Sequence, residues 1–237
     1  MLGAKPYTQR VLLVIENVCI ILIWMVYRAG MARRQRRRNG LQWDVELKPI
    51  ICDFYGTVVH ENGPLSYEVI KRVYQNSTAK SPEEVVGYWW EAFRRRLDLA
   101  CGEAYRPQDE LALENFVETL AYFRCEEDPM ELRELMTRHW CNPPLYDDAK
   151  PFLDGLTLPV YFVTNSDNHY ISKAIENHGF RPHGVFTSEG ARYSKPRVEP
   201  FQYALHMAGL SPEEVCHMGD SLDGDVRAPA SLGIQTV

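Results

Sequence analysis

The stretch IICDFYGTVVHENG, residues 50–63, joins a short apolar run to side chains that can do chemistry. Asp53 ends the run, Tyr55 follows it by two positions and Thr57 by four. A carboxylate at the end of a buried run can act as a nucleophile or bind a metal ion. Tyr55 lies between these two side chains, and its phenol bears on which proton transfers the site can perform.

Three later stretches also place polar side chains at the ends of apolar runs. Their candidate residues are Thr164 and Asn165, then Lys195, and finally Asp220 with Asp225. With Asp53, they would bring three carboxylates and one ammonium group to one point. Carboxylates at close range repel one another unless a cation lies between them. The sequence therefore predicts Mg²⁺ as the cofactor, because this ion prefers carboxylate and water oxygens.

The hydrophobic pattern predicts the elements that would position these side chains. Buried strands are predicted within five segments, at 48–56, 158–167, 184–196, 211–221 and 234–237. Helices are predicted between the later strands, at 168–180, 198–210 and 223–233. This alternation indicates an α/β fold with a doubly wound parallel sheet. Ligands bind outside the carboxyl ends of such strands, where the candidate side chains would meet.

A block of helices without strands separates the first strand from the second. Helical spacing of apolar residues predicts four helices there, at 66–77, 81–100, 106–123 and 128–140. The second of these opens with Ser81 as N-cap and Pro82 at the first helical position. The block is therefore expected to be an all-helical insertion into the α/β domain.

Four short motifs carry a resemblance to a known family. DFYGTVV, VTN, KP and GDSLDGDV occur in this order, each at the end of a predicted strand. Over about residues 50–237 the chain resembles the haloacid dehalogenase superfamily of hydrolases. The resemblance implies a Rossmann-like core with a helical cap inserted after the first strand. The core would comprise 49–63 and 146–237, and the cap 64–145.

The resemblance also implies roles in catalysis and substrate binding. Asp53 matches the family's nucleophile, and Thr57 would hydrogen-bond near it. Thr164 would bind a substrate oxygen, helped by the backbone amides around Asn165. Lys195 would neutralise both the nucleophile and the substrate.

The metal site follows from the same resemblance. Asp53, Asp220 and the backbone carbonyl of Tyr55 would be the protein ligands of Mg²⁺. Asp225 matches an additional acid in or near the metal site. The implied activity is a Mg²⁺-dependent phosphatase that forms an aspartyl phosphate and acts on a small phosphorylated metabolite.

Tyr55 departs from the pattern of most phosphatases of this superfamily, which carry an aspartate there. A phenol with a pKa near roughly 10 can donate a proton but is a poor base at neutral pH. The motif D-x-Y-G-T resembles the dehalogenase branch, in which halide leaves without a proton and without metal. An L-2-haloacid dehalogenase acting on a halogenated substrate is therefore an alternative, and a catalytically weak binding or scaffold protein is another.

Two features favour the phosphatase over the dehalogenase. Dehalogenases replace the metal-binding aspartate of the last motif, whereas this chain retains it as Asp220. Dehalogenases also use a cap arginine to hold halide and carboxylate. The arginines at 94–96 are interpreted as a solvated helix face instead.

The amino-terminal segment, 1–48, differs in composition from the rest. It carries a net charge of about +6, which leaves the remainder near −12 and makes nucleic acid an improbable partner. Residues 11–27 are apolar and precede six arginines, which predicts either a membrane tether with the domain facing the cytoplasm or a spurious translation start. The six cysteines form no CxxC pair, which fits a reducing compartment. The chain stops as its fifth strand begins, which suggests that the last residues are missing.

Overall fold

The computed structural model describes residues 48–237, and its centre is a parallel sheet of five strands. The strands are β1 (Ile50–Cys52), β2 (Val160–Thr164), β3 (Gly184–Thr187), β4 (Cys216–Met218) and β5 (Gln235–Thr236). Their order across the sheet is β3-β2-β1-β4-β5, and every neighbouring pair is parallel. This confirms the predicted α/β fold with a Rossmann-like, doubly wound sheet.

The first four helices after β1 are called here the helical insertion. They are α1 (Pro64–Gln75), α2 (Pro82–Leu99), α3 (Gln108–Tyr122) and α4 (Pro129–Cys141). Helix α2 begins as the sequence predicts, because the Ser81 hydroxyl accepts a hydrogen bond from the Glu84 amide at 3.2 Å. Asp128 caps α4 in the same way by accepting from the Met130 amide at 2.8 Å.

The helices that flank the sheet are shorter on average. They are α5 (Ala149–Gly155), α6 (Asn168–His178), α7 (Ser188–Ala191), α8 (Glu199–Ala208) and α9 (Ala228–Ser231). The sequence did not predict α5 and α7, because neither is long enough to show helical periodicity. Residues 222–227 form a π-helix before α9, where an ordinary helix was predicted.

Side chains on the two faces of the sheet enter two separate apolar clusters. Along β1, Ile50 and Cys52 pack with α5 and α6, whereas Ile51 packs with α8 and α9. This alternation follows from the period of two along a strand. The helical insertion buries its own cluster, built around Val73, Phe116 and other apolar residues of its helices. The sheet is therefore rigidly packed on both faces, which fixes the loops at its carboxyl edge.

No helix within residues 48–237 is long and apolar enough to cross a membrane. The predicted tether at 11–27, and the basic run that follows it, lie outside the described residues.

Replacing Phe162 by alanine should lower the free energy of unfolding by about 3–5 kcal/mol. Phe162 lies in β2, is 1% exposed, and packs edge-to-face on Phe54 at 5.1 Å between ring centroids. Urea denaturation measures the loss. The control Val117→Ala, at a site 53% exposed on α3, should change stability little. A Phe162→Ala loss below about 1 kcal/mol would contradict this packing.

Candidate active site

The candidate residues converge where the order of the sheet reverses, between β1 and β4. Asp53 follows β1 directly, and its amide donates to the carbonyl of Met218, the last residue of β4, at 2.9 Å. Asp220 lies two residues beyond that strand. Because the crossovers leave β1 and β4 in opposite directions, a crevice opens here at the carboxyl edge.

Lys195 is the centre of a buried ion-pair network. Its Nζ lies 2.7 Å from Asp53 Oδ1 and 2.6 Å from Asp225 Oδ1, and its side chain is 7% exposed. Burial alone would lower the pKa of the Lys195 ammonium, but the two carboxylates outweigh burial and raise it. Lys195 is therefore charged at neutral pH.

Asp225 is held by donors on both oxygens. In addition to Lys195, His217 Nε2 lies 3.0 Å from Oδ1, and the Ser221 amide donates to Oδ2 at 3.1 Å. Burial raises the pKa of this carboxyl, but the bond to His217 and the charge of Lys195 overcome that effect and lower it to about 2. Asp225 is thus ionised and directed chiefly towards protein donors.

Asp53 has the opposite electrostatic balance. Burial raises the pKa of its carboxyl to about 7, with contributions from the negative charges of Asp225 and Asp220, although Lys195 works in the opposite direction. A further cation near Asp53 and Asp220 would lower the pKa of the Asp53 carboxyl and keep it ionised.

Thr57 and Gly56 bring Asp220 close to Asp53. The Thr57 hydroxyl lies 3.3 Å from Asp53 Oδ2 and 3.3 Å from Asp220 Oδ1, so it can donate to either carboxylate. Gly56 has φ of +95°, and a β-carbon there would lie 2.8 Å from Asp220 Oδ1. Only glycine both adopts this backbone conformation readily and leaves room for the carboxylate.

The resulting carboxylate cluster fits a divalent cation. Oxygens of Asp53, Asp220 and Asp225 all lie within 4.8 Å of one another. One ammonium, that of Lys195, offsets only part of their three negative charges. Asp53 and Asp220 have oxygens available for a cation, whereas the oxygens of Asp225 already accept from the protein. The predicted participation of the Tyr55 carbonyl stays a prediction.

The Tyr55 side chain turns towards the helical insertion. Its hydroxyl donates to the carbonyl of Trp140, in the last turn of α4, at 2.8 Å. Burial raises the pKa of the phenol, so the hydroxyl stays protonated. Its proton is therefore engaged by a backbone carbonyl of α4.

Asn165 and Thr164 lie at the carboxyl end of β2. The side-chain amide of Asn165 donates to the Lys195 carbonyl at 2.9 Å and accepts from the Lys195 amide at 2.7 Å. The side chain of Asn165 therefore fixes the lysine backbone, and its predicted substrate binding would fall to its own backbone amide. Thr164 is 2% exposed at the end of the strand, and its contact with a substrate oxygen stays a prediction.

A large cavity opens beside these loops. It has a volume of about 1030 Å³ including its open mouth, and Tyr55, Asn165 and Ser166 form its wall on the sheet side. Apolar side chains of α1, α2 and α3 form the opposite wall. The site therefore adjoins a cavity that extends into the helical insertion.

Comparison with known proteins identifies the family of this fold and site. A family model described as haloacid dehalogenase-like hydrolase matches residues 47–233. The chain belongs to this hydrolase family. Two curated proteins match shorter stretches of this haloacid dehalogenase-like hydrolase, and many solved structures share its fold.

The curated relatives match over limited segments. The glyceraldehyde 3-phosphate phosphatase of Methanocaldococcus jannaschii is 42% identical over 53 residues, which are 22% of this chain and 23% of that protein. The haloacid dehalogenase-like hydrolase domain-containing protein 3 of Bos taurus is 36% identical over 84 residues, 35% of this chain and 32% of that protein. The matched stretches thus cover less than a third of either relative.

Two solved structures illustrate the shared fold. The L-2-haloacid dehalogenase from Xanthobacter autotrophicus is 18% identical with a TM-score of 0.65, over 80% of this chain and 76% of that chain. The putative HAD-hydrolase YfnB from Bacillus subtilis, bound to magnesium, is 21% identical with a TM-score of 0.64, over 80% and 86%. At these identities the similarity concerns the fold alone.

Two residues of this haloacid dehalogenase-like hydrolase were not found from its sequence. His217 is fully buried in β4 and contacts Asp225, but a single histidine in an apolar strand gave no signal of that contact. Glu61 lines the cavity, and the crevice raises its pKa, first by desolvation and then through the charge of Asp220. In the sequence, its position in the loop after the first motif was the only indication that Glu61 could lie near the site.

Replacing Lys195 by methionine should destabilise this hydrolase by about 3–5 kcal/mol at neutral pH, because buried carboxylates lose their counter-charge. Thermal and urea unfolding measure the loss. It should shrink as the pH falls, since Asp53 and Asp220 then take up protons. Lys173→Met is the matched control, because Lys173 makes a surface ion pair with Glu176 and should tolerate the change. Equal losses in the two variants would contradict the network.

Proposed function

We propose that this hydrolase is a Mg²⁺-dependent phosphatase that acts on a small phosphorylated metabolite. The observation that carries the proposal is the position of Asp220, whose Oδ1 shares the Thr57 hydroxyl with Asp53 beside the charged Lys195. This cluster keeps a net negative charge that a divalent cation would neutralise. The curated phosphatase relative, although matched over a short segment, supports the same chemistry.

Asp53 is the proposed nucleophile. Its carboxylate oxygen forms a bond to phosphorus while the bond from phosphorus to the ester oxygen breaks, which yields an aspartyl phosphate and an alcohol. Water then forms a bond to the same phosphorus, the bond to the Asp53 oxygen breaks, and one proton of the water returns to the group that protonated the leaving alcohol. The products are inorganic phosphate and free Asp53.

The surrounding residues would bind the phosphoryl group and neutralise its charge in both displacements. Lys195 would offset the charge of the phosphoryl oxygens, and Asn165 keeps the Lys195 backbone in place. Thr164 and the backbone amide of Asn165 would bind one phosphoryl oxygen. When bound by Asp53 and Asp220, Mg²⁺ would supply further neutralisation of the developing charge.

Protonation of the leaving group needs an acid other than Tyr55, whose hydroxyl is engaged with Trp140. Among the described residues that line the cavity, Glu61 is the carboxylic acid. Desolvation and the charge of Asp220 raise the pKa of its carboxyl, and this shift favours the protonated form that a proton donor needs. We therefore assign proton donation to Glu61 in this proposal.

The helical insertion would act as a cap over the site. Asp167, just after β2, accepts hydrogen bonds from the amides of Gln108 and Asp109 at 2.8 Å each. These amides begin α3, so a negative charge from the core stabilises that helix terminus. A cap held in this way would exclude water from the reacting groups.

The dehalogenase alternative rests on Tyr55 and on the shared fold. A haloacid carries a carboxylate that must meet a cation, yet no lysine or arginine of the described chain lines the cavity. Arg95 and Arg96 instead pair with Glu118 on the helical insertion. The phosphatase therefore has the stronger support.

Hydrolysis of p-nitrophenyl phosphate should require Mg²⁺ and stop on addition of EDTA. Asp53→Asn should lower kcat by about 1000-fold or more, because the amide cannot form the phosphoryl ester. Asp223→Asn is the control, since Asp223 lies near Asp220 and Asp225 in the chain but is exposed and pairs with Arg227. Phosphate release measures the effect of EDTA and the activity of both variants.

Turnover that EDTA leaves unchanged would refute the metal role. Chloride release from 2-chloropropionate without metal would establish the dehalogenase instead. Absence of both activities, with no binding of beryllofluoride as a phosphoryl mimic, would favour the scaffold protein.

Glu61→Gln should lower kcat/KM for an alkyl phosphate by about 100-fold or more, as expected when a general acid is lost. Hydrolysis of p-nitrophenyl phosphate should fall much less, because its leaving group departs without a proton. Glu68→Gln, on the exposed surface of α1, is the matched control. Equal losses on both substrates would exclude Glu61 as the proton donor.

A further inference from the structure

The cavity beside the candidate site is apolar over most of its wall. Its lining includes Val69, Val73, Val85, Phe93 and Phe116, all less than 6% exposed and contributed by α1, α2 and α3. Such a wall gains free energy when it removes apolar ligand surface from water. The cavity can receive the organic group of a substrate, and that group would contact this apolar wall.

The charges around the cavity exclude several ligand classes. Within residues 48–237, Glu61 supplies the carboxyl group on its wall, and no lysine, arginine or histidine joins it. An organic group with its own carboxylate or second phosphate would therefore lack a counter-charge there. A polyhydroxylated sugar would lose hydrogen bonds to water that this wall does not replace.

Two polar atoms in the same wall are buried without a partner. Neither Thr119 Oγ1 nor Trp89 Nε1 has a hydrogen-bond partner among the described residues, and Thr119 is fully buried. Buried polar groups in native proteins are nearly always satisfied. Both residues belong to the cavity wall, but these two atoms are themselves inaccessible from it, so the wall presents no free polar atom to a ligand at this point.

The cavity is connected to the candidate reacting groups through its sheet-side wall. Tyr55 stands two residues after Asp53, and Asn165 holds the backbone of Lys195. A phosphate at the carboxyl edge of the sheet would therefore place its organic group in the cavity.

We infer that the substrate is a phosphate monoester of an uncharged, largely apolar alcohol that carries at most a few hydrogen-bonding oxygens. This inference rests on the proposed phosphatase function and names its substrate class. The apolar part would contact the α1–α3 wall.

A series of primary alkyl phosphates tests the inference, because the leaving-group chemistry stays constant while the chain grows. From ethyl to hexyl phosphate, kcat/KM should rise by about tenfold or more, since each buried methylene contributes up to about fourfold. Glucose 6-phosphate should be hydrolysed less efficiently than hexyl phosphate. A flat series, or a preference for glucose 6-phosphate, would overturn the inference and leave the phosphatase intact.

A cavity-filling variant supplies an independent arm. Val86 lines the cavity, so Val86→Trp should remove most of the preference for hexyl over ethyl phosphate. Val117→Trp is the matched control, because Val117 is 53% exposed on α3. Retention of the preference in Val86→Trp would count against the cavity as the binding site.

Binding of the neutral fluorophore N-phenyl-1-naphthylamine gives a readout that does not need catalysis. It should bind the wild type and the Val117→Trp variant, and binding to Val86→Trp should weaken by about tenfold. No binding to the wild type would overturn the inferred apolar site. Probe binding without turnover of any ester would instead overturn the phosphatase proposal, and with it the substrate class.

Discussion

The ammonium group of Lys195, held between the carboxylates of Asp53 and Asp225, is the interaction on which the site depends. Lys195 is 142 positions from Asp53 in the chain, yet their charged atoms lie 2.7 Å apart. Each partner is fixed in turn, because Asn165 binds the lysine backbone and His217 binds Asp225. One buried charge thus holds side chains from the ends of several strands in place, and its loss would leave the carboxylates of Asp53 and Asp225 without their counter-charge.

The reversal of strand order explains why this charge lies where it does. Asp53 follows β1, and Asp220 and Asp225 follow β4, so the two adjacent strands bring their acids to one crevice. Gly56 then lets the chain pass close to Asp220 where a side chain would collide with it. The excess of negative charge is therefore a product of backbone topology and is not a chance surface cluster.

The sequence predicted this grouping because it depends on strand ends, which hydrophobic patterns locate well. Asp53, Lys195 and Asp220 could be placed together without any knowledge of side-chain conformations. The contacts of Tyr55 with Trp140 and of His217 with Asp225 could not, since each depends on how distant elements pack. Short elements such as α7 were missed for another reason: four residues are too few for a periodic signal.

The capping of α3 by Asp167 has a mechanical consequence. Because one carboxylate accepts from two consecutive amides, separating the insertion from the sheet at this point leaves both donors unsatisfied together. The two hydrogen bonds are therefore expected to break together when the start of α3 moves away from Asp167. The start of α3 is consequently a point at which the helical insertion resists separation from the core.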